Sequence, residues 1–155
     1  MPAAAQEELG ILLDLVLERL YTLGYRRFYS GGARGLDTLA AEAVLRLRGR
    51  YPDAALILAL PCADQDRNWN RADRARLRGL AEQADRVTVL APAYYEGCMQ
   101  ARNRYMVDRS AFCVCYLRHM RGGTMSTVAY AVKEGRPVLN LAIAGDCRRF
   151  AGEEG

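Results

Sequence analysis

The chain has 155 residues, 51% hydrophobic and 26% charged, with a formal net charge of +4. This is the composition of one ordinary globular domain, not of a disordered or low-complexity chain. No apolar run reaches the roughly 20 residues of a membrane-spanning helix. The amino terminus lacks the charged-then-apolar order of a signal peptide, so a cytoplasmic protein is expected.

Taken in chain order, Leu9, Leu12, Leu13, Val16, Leu20 and Leu23 recur at helical spacing and form one apolar stripe. A short strand follows at about 27–30, and then the turn Ser30-Gly31-Gly32-Ala33-Arg34-Gly35-Leu36-Asp37. The next helix spans about 36–48 and stops at Tyr51-Pro52-Asp53. Leu56 to Leu60 is a continuous apolar run closed by Pro61, as in a strand covered on both faces. A charged helix at about 70–83 precedes a strand at 87–90, and a helix near 99–108 leads into the apolar run 112–117. A second glycine loop, Arg121-Gly122-Gly123-Thr124, opens a helix to about Glu134, and the last strand spans 138–142. Residues 1–144 read as a single domain, and 145–155 as a polar, frayed tail.

Strands separated by helices predict right-handed crossovers and a mostly parallel sheet of about five strands. The fold class is a three-layer, Rossmann-like α/β domain. Such a domain usually opens on its central strand, whereas this chain opens on a helix. The usual first strand is thus expected to be missing, leaving an edge or gap beside the glycine turn. A partner subunit would cover it, so a homo-oligomer is expected.

The cysteines are Cys62, Cys98, Cys113, Cys115 and Cys147, an odd number without paired spacing, which argues against a disulfide framework. With His119 the single histidine, no metal site is expected. Arg67, Arg71, Arg74, Arg76 and Arg78 crowd one helix, but Asp64, Asp66 and Asp73 are interleaved. That balance reads as a solvated face and disfavours nucleic acid.

Both glycine loops follow a strand and open a helix, which puts both at the carboxyl edge of the sheet, where doubly wound domains bind ligands. Gly31, Gly32, Ala33 and Gly35 would form one wall, Gly122, Gly123 and Thr124 another. Helix-start N–H groups and partial positive charge suit a phosphate or carboxylate. Tight turns whose glycines serve packing alone are the alternative. Thr124, Ser126 and Thr127 add more hydroxyls than one cap needs. The loop after the second strand carries Gln65 and Trp69 to the same edge, Trp69 as a base-stacking surface or a loop anchor. Arg104 and Asp108 are spaced to pair on one helix face, while Arg102 or Arg104 could instead reach a phosphate. No Ser-His-Asp set and no complete Walker-type loop is present.

Ser-Gly-Gly-Ala-Arg-Gly-Leu-Asp (30–37), Asp-Gln-Asp-Arg-Asn-Trp (64–69), Gly-Cys-Met-Gln-Ala-Arg-Asn-Arg-Tyr-Met-Val-Asp (97–108) and Gly-Gly-Thr-Met-Ser-Thr-Val-Ala-Tyr-Ala (122–131) together resemble the YpsA-like branch of the SLOG superfamily, over about residues 8–142. The wider superfamily includes the DNA-processing protein DprA and the cytokinin-activating phosphoribohydrolases. The resemblance implies a Rossmann-like fold and a nucleotide or nucleotide-derived ligand, such as ADP-ribose or a nucleoside monophosphate. Gly31, Gly32, Ala33, Gly35, Asp37, Gln65, Trp69, Arg104, Asp108, Gly122, Gly123, Thr124 and Thr127 are the ligand-site candidates. Two departures stand out. The Gly-x-Arg-Pro-type turn that usually follows the family's first strand is not found. Thr127 stands where the phosphoribohydrolases carry a glutamate, so their acid chemistry does not carry over. Three functions are open: ligand binding; hydrolysis of an N-glycosidic or phosphate bond, with Asp37 or Asp108 as acid or base; and binding of single-stranded nucleic acid through the arginine-rich helix.

Overall fold

The computed structural model describes residues 2–152. Helix α1 (Ala3–Thr22) buries Leu9, Leu12, Leu13, Val16, Leu17 and Leu20, the stripe that the spacing predicts. Leu23 falls outside it: the helix has already ended, and that side chain is exposed. Strand β1 (Arg27–Ser30), helix α2 (Leu36–Arg50) and strand β2 (Ala55–Leu60) follow, then helix α3 (Arg71–Gln83) and strand β3 (Arg86–Val89). The second half comprises helix α4 (Cys98–Asp108), strand β4 (Cys113–Cys115), helix α5 (Gly122–Lys133), strand β5 (Val138–Asn140) and helix α6 (Ala144–Phe150).

All described strand pairs are parallel, which follows from a helix standing between every two consecutive strands. β2 is central to the first sheet, with Ile57 opposite both Tyr29 of β1 and Arg86 of β3. Its residues Leu56, Ile57, Leu58 and Ala59 are buried. Burial of a Leu or Ile side chain is worth roughly 1.5–3 kcal/mol, which makes this strand the anchor of the core. α1 and α2 pack together, α1 also meets α6, and α4 packs on α5.

The five strands do not form one sheet. β1, β2 and β3 pair in that order, β4 pairs with β5, and β1 and β4 are not paired with each other. A slot of about 440 Å³ lies between those two strands, lined by α1 side chains Leu13, Leu17 and Leu20. The interruption falls beside the first glycine turn, where the sequence places it. β4 keeps only three residues of the six-residue apolar run and pairs with β5 alone.

The chain after Ala144 differs from a frayed polar tail. Cys147 of α6 is fully buried, and the Phe150 ring lies 5.3 Å from that of Phe112, centroid to centroid. Two hydrophobic anchors hold this short helix against the core. Residues 153–155 of that segment lie outside the described residues.

Candidate functional site

The first glycine turn is built from inside the domain. Gly32 has φ +68°, and a β-carbon there would come within 2.8 Å of the Leu60 side chain. At Gly31 a β-carbon would lie 2.3 Å from Arg102 Nη1 and 2.7 Å from Asp37 Oδ2. Arg102, on α4, is buried and donates to the Gly31 carbonyl at 2.5 Å and the Ala59 carbonyl at 3.4 Å. Ser30 Oγ donates to the Asp37 carbonyl and accepts from the Gly32 N–H, while Thr38 Oγ1 donates to the Ala33 carbonyl at 2.7 Å. The Asp37 carboxylate accepts from the Ala33 N–H at 3.3 Å.

Arg102 and Asp37 thus both bond the backbone of the turn, and their opposite charges act on one another there. Burial pushes the Asp37 carboxyl pKa above its ordinary 3.8, against the opposing pull of the Arg102 guanidinium and the Ala33 N–H. Burial likewise lowers the Arg102 pKa, and Asp37 raises it in return.

The second loop is built differently. Arg121 caps α5 without a side-chain hydrogen bond, and Gly122, Gly123 and Thr124 are exposed. Thr127 Oγ1 is turned back onto the Gly123 carbonyl at 2.9 Å. α2 also starts without a side-chain cap, at Gly35, whereas Asn70 caps α3 by accepting from the Asp73 N–H. Both glycine-loop helices therefore present first-turn N–H groups without an intrahelical or capping partner.

These two starts meet in one crevice of about 530 Å³. Ala33, Arg34 and Asp37 line it from the first loop, and Gly123, Thr124 and Thr127 from the second. Arg102 and Asn103 of α4 lie between them, and Tyr29, Phe112 and Tyr116 supply aromatic surface. The crevice thus combines helix-start backbone N–H groups, one exposed guanidinium on Arg34 and aromatic surface.

The remaining predicted residues surround this crevice without lining it. Gly31 and Gly32 are buried behind the first wall, Gly35 begins α2, and Gly122 begins α5. Gln65 is buried with neither side-chain amide atom bonded to protein; a β-carbon on Gly32 would lie 3.8 Å from its Nε2. Trp69 is half-buried, with the Arg34 guanidinium 5.1 Å from its ring. Arg104 and Asp108 meet Tyr130 of α5: the guanidinium sits 5.1 Å over the ring, and the carboxylate accepts from the hydroxyl at 2.6 Å. The hydrogen bond to Asp108 raises the Tyr130 pKa above 10.0.

Ser30, Thr38 and Asn103 are not among the predicted site residues, and Arg102 enters only as one of two arginines, with Arg104, able to reach a phosphate. One signal exists: Arg102 is four residues after Cys98, on the helix face that Cys98 buries.

The sequence profile of the YspA SLOG family matches residues 8–137, which include both glycine loops and the α4 segment between them. The chain is 30% identical over 131 residues to the uncharacterised SPbeta prophage-derived protein YoqJ of Bacillus subtilis, covering 76% of this chain and 77% of that one. A UPF0398 protein of Halalkalibacterium halodurans is 33% identical over 89 residues, or 56% of this chain and 47% of the relative. The UPF0398 protein YpsA of Bacillus subtilis is 30% identical over 81 residues, 51% and 45% of the two chains. The matches to these two UPF0398 proteins thus span about half their length. With its parallel α/β architecture, its paired glycine loops and a profile match over most of its length, this chain belongs to the YspA SLOG family.

Proposed function

We propose that this domain binds a nucleotide or nucleotide-derived ligand, of the class of ADP-ribose or a nucleoside monophosphate, in the crevice between the two glycine loops. One observation carries the reading: two helix starts without side-chain caps, from opposite halves of the chain, line a single crevice of about 530 Å³. A single helix start is an ordinary turn, whereas two converging on one space favour a bound anion. The phosphate would lie between Ala33–Arg34 and Gly123–Thr124, with the base toward Tyr29, Phe112 or Tyr116. Calorimetric titration with ADP-ribose, NAD and mononucleotides tests it. Saturable one-site binding to at least one of them, weakened by Thr124→Ala, is the expected result. Silence across the panel contradicts it.

A second reading, hydrolysis of an N-glycosidic or phosphate bond in that ligand, is favoured by one feature: Asp37 lines the crevice, and its pKa is shifted toward holding a proton. Asp108, the other acid candidate, is bonded to Tyr130 and does not line the crevice. Release of free base or ribose phosphate, abolished by Asp37→Asn with ligand affinity retained, would establish catalysis. The nucleic-acid reading finds less support, because arginines of α3 are matched locally. Arg76 bonds Glu42 at 2.8 Å, and Arg74 lies 3.7 Å from Asp66. Among the described residues, no helix is long and apolar enough to cross a membrane.

A further inference from the structure

We propose that Trp69 is a positioning residue: its ring holds the Arg34 guanidinium at the wall of the crevice, ready for a ligand phosphate, and the indole itself touches no ligand. The proposal rests on the reading that the crevice takes a nucleotide, and it names the residue that presets the cation of the first wall.

Arg34 needs such a partner. Its neighbour Ala33 is fastened on both sides of its peptide unit, by Asp37 at the N–H and by Thr38 Oγ1 at the carbonyl, and Gly35 follows at φ +91°. The backbone of Arg34 is therefore fixed. Its side chain is not: 54% of it is exposed, and its guanidinium donates no hydrogen bond to a described residue. A long side chain left to rotate must be ordered when a phosphate meets it, and that ordering weakens binding.

Two groups from the segment after β2 limit the rotation. The guanidinium carbon lies 5.1 Å from the centre of the Trp69 ring, and Nη1 lies 3.9 Å from Asp73 Oδ2. The aspartate is the weaker hold. Its Oδ2 already accepts from Asn70 Nδ2 at 3.0 Å, and a long, partly exposed ion pair contributes little. The indole stands on firmer ground: the Trp69 backbone N–H donates to the Asp66 carbonyl at 3.0 Å, and the next residue, Asn70, caps α3.

Holding an arginine by a ring also leaves the useful atoms free. A close salt bridge would occupy the N–H donors, whereas a guanidinium kept over an aromatic face retains them for a bidentate phosphate contact. Arg34 lines the crevice and Trp69 does not, so the indole acts through the arginine. Of the two roles open to Trp69 from the sequence, base-stacking surface or loop anchor, this geometry favours neither. The aromatic lining comes instead from Tyr29, Phe112 and Tyr116.

The test is a double-mutant cycle on nucleotide affinity. AMP, ADP-ribose and NAD are titrated calorimetrically into wild type, Trp69→Leu, Trp69→Phe, Arg34→Met and the Trp69→Leu/Arg34→Met double variant. Trp69→Leu should weaken the tightest of the three about 2- to 5-fold, the range of an exposed cation–π contact. Trp69→Phe keeps an aromatic face and should recover most of that loss. In the Arg34→Met background Trp69→Leu should change nothing further, because residues that act through one another are not additive. A tryptophan that served the fold alone, or that stacked on a base, would weaken binding by the same factor in both backgrounds. That result, or no loss at Trp69→Leu, overturns the proposal and leaves the ligand reading standing. Silence of all three nucleotides on wild type overturns both. Trp69 is the single tryptophan, so its emission reads the contact without any nucleotide. Arg34→Met should shift that emission, and an unshifted spectrum also overturns the proposal.

Discussion

The two glycine loops look alike in sequence and are held in opposite ways. The first is fastened from within: Ser30, Asp37, Thr38 and Arg102 all bond its backbone, and Gly31 and Gly32 are buried. The second is exposed at Gly122, Gly123 and Thr124, with no side-chain cap. The contrast teaches that a glycine motif carries two kinds of information. In the first loop glycine lets the buried Arg102 guanidinium and the Asp37 carboxylate approach the backbone; in the second it leaves the backbone open to whatever enters the crevice. Changes in the first loop should therefore strike stability, and changes in the second should strike ligand affinity.

The sharpest way to break this contrast is Arg102→Met. It leaves the Gly31 carbonyl without its donor and removes the positive charge that opposes the desolvation of Asp37, and an orphaned buried polar group costs about 1–3 kcal/mol. Urea denaturation should show a loss of that size; a loss under about 1 kcal/mol would mean that Arg102 does not hold the turn. Gly31→Ala should cost roughly 1–3 kcal/mol, the usual range for overpacking, because the added carbon meets Arg102.

Gly123→Ala is the counterpart. Its α5 backbone has ordinary φ, and an added β-carbon meets nothing within 4 Å, so stability should stay level or rise by up to about 1 kcal/mol. Nucleotide affinity should fall, and Thr124→Ala should lower it about 5-fold, the equivalent of one ordinary hydrogen bond. Calorimetry on both variants checks this. A large stability loss in either would make the second loop structural like the first.

The smallest effect is one of pH. The folded Asp37 pKa is raised above its unfolded 3.8, so the folded state holds this proton more tightly and stability falls as pH rises through that interval. Wild type should therefore lose stability relative to Asp37→Asn on going up from pH 3.8. Glu18 behaves oppositely. The Tyr51 hydroxyl holds it below 4.5, so its contribution is present above that pH and lost on acidification. Glu18→Gln should flatten the acid side of the stability profile, read by thermal melts across the pH series.

Much of the fold is legible because its signals are local. The α1 stripe, the β2 apolar run and the glycines that open α2 and α5 each lie within one element, and their order alone implies a parallel sheet. The division into two sheets is not local, because it depends on which distant strands meet. The packing of Cys147 and Phe150 that turns the tail into α6 is not written in local composition. Around the crevice, the glycines and hydroxyls are visible in the sequence. The burial of Arg102 is not, because an arginine in a helix of mixed polarity reads as surface until its partner Asp37, 65 residues earlier, is placed beneath it.

The central claim is that both loops grip one ligand, and amide hydrogen exchange with and without saturating ADP-ribose, NAD or AMP tests it most directly. The account predicts that amides at 33–37 and at 122–125 slow together on addition of the same nucleotide, with β3 and α3 unchanged. Slowing in one loop only, or in neither for any of the three nucleotides, would contradict it.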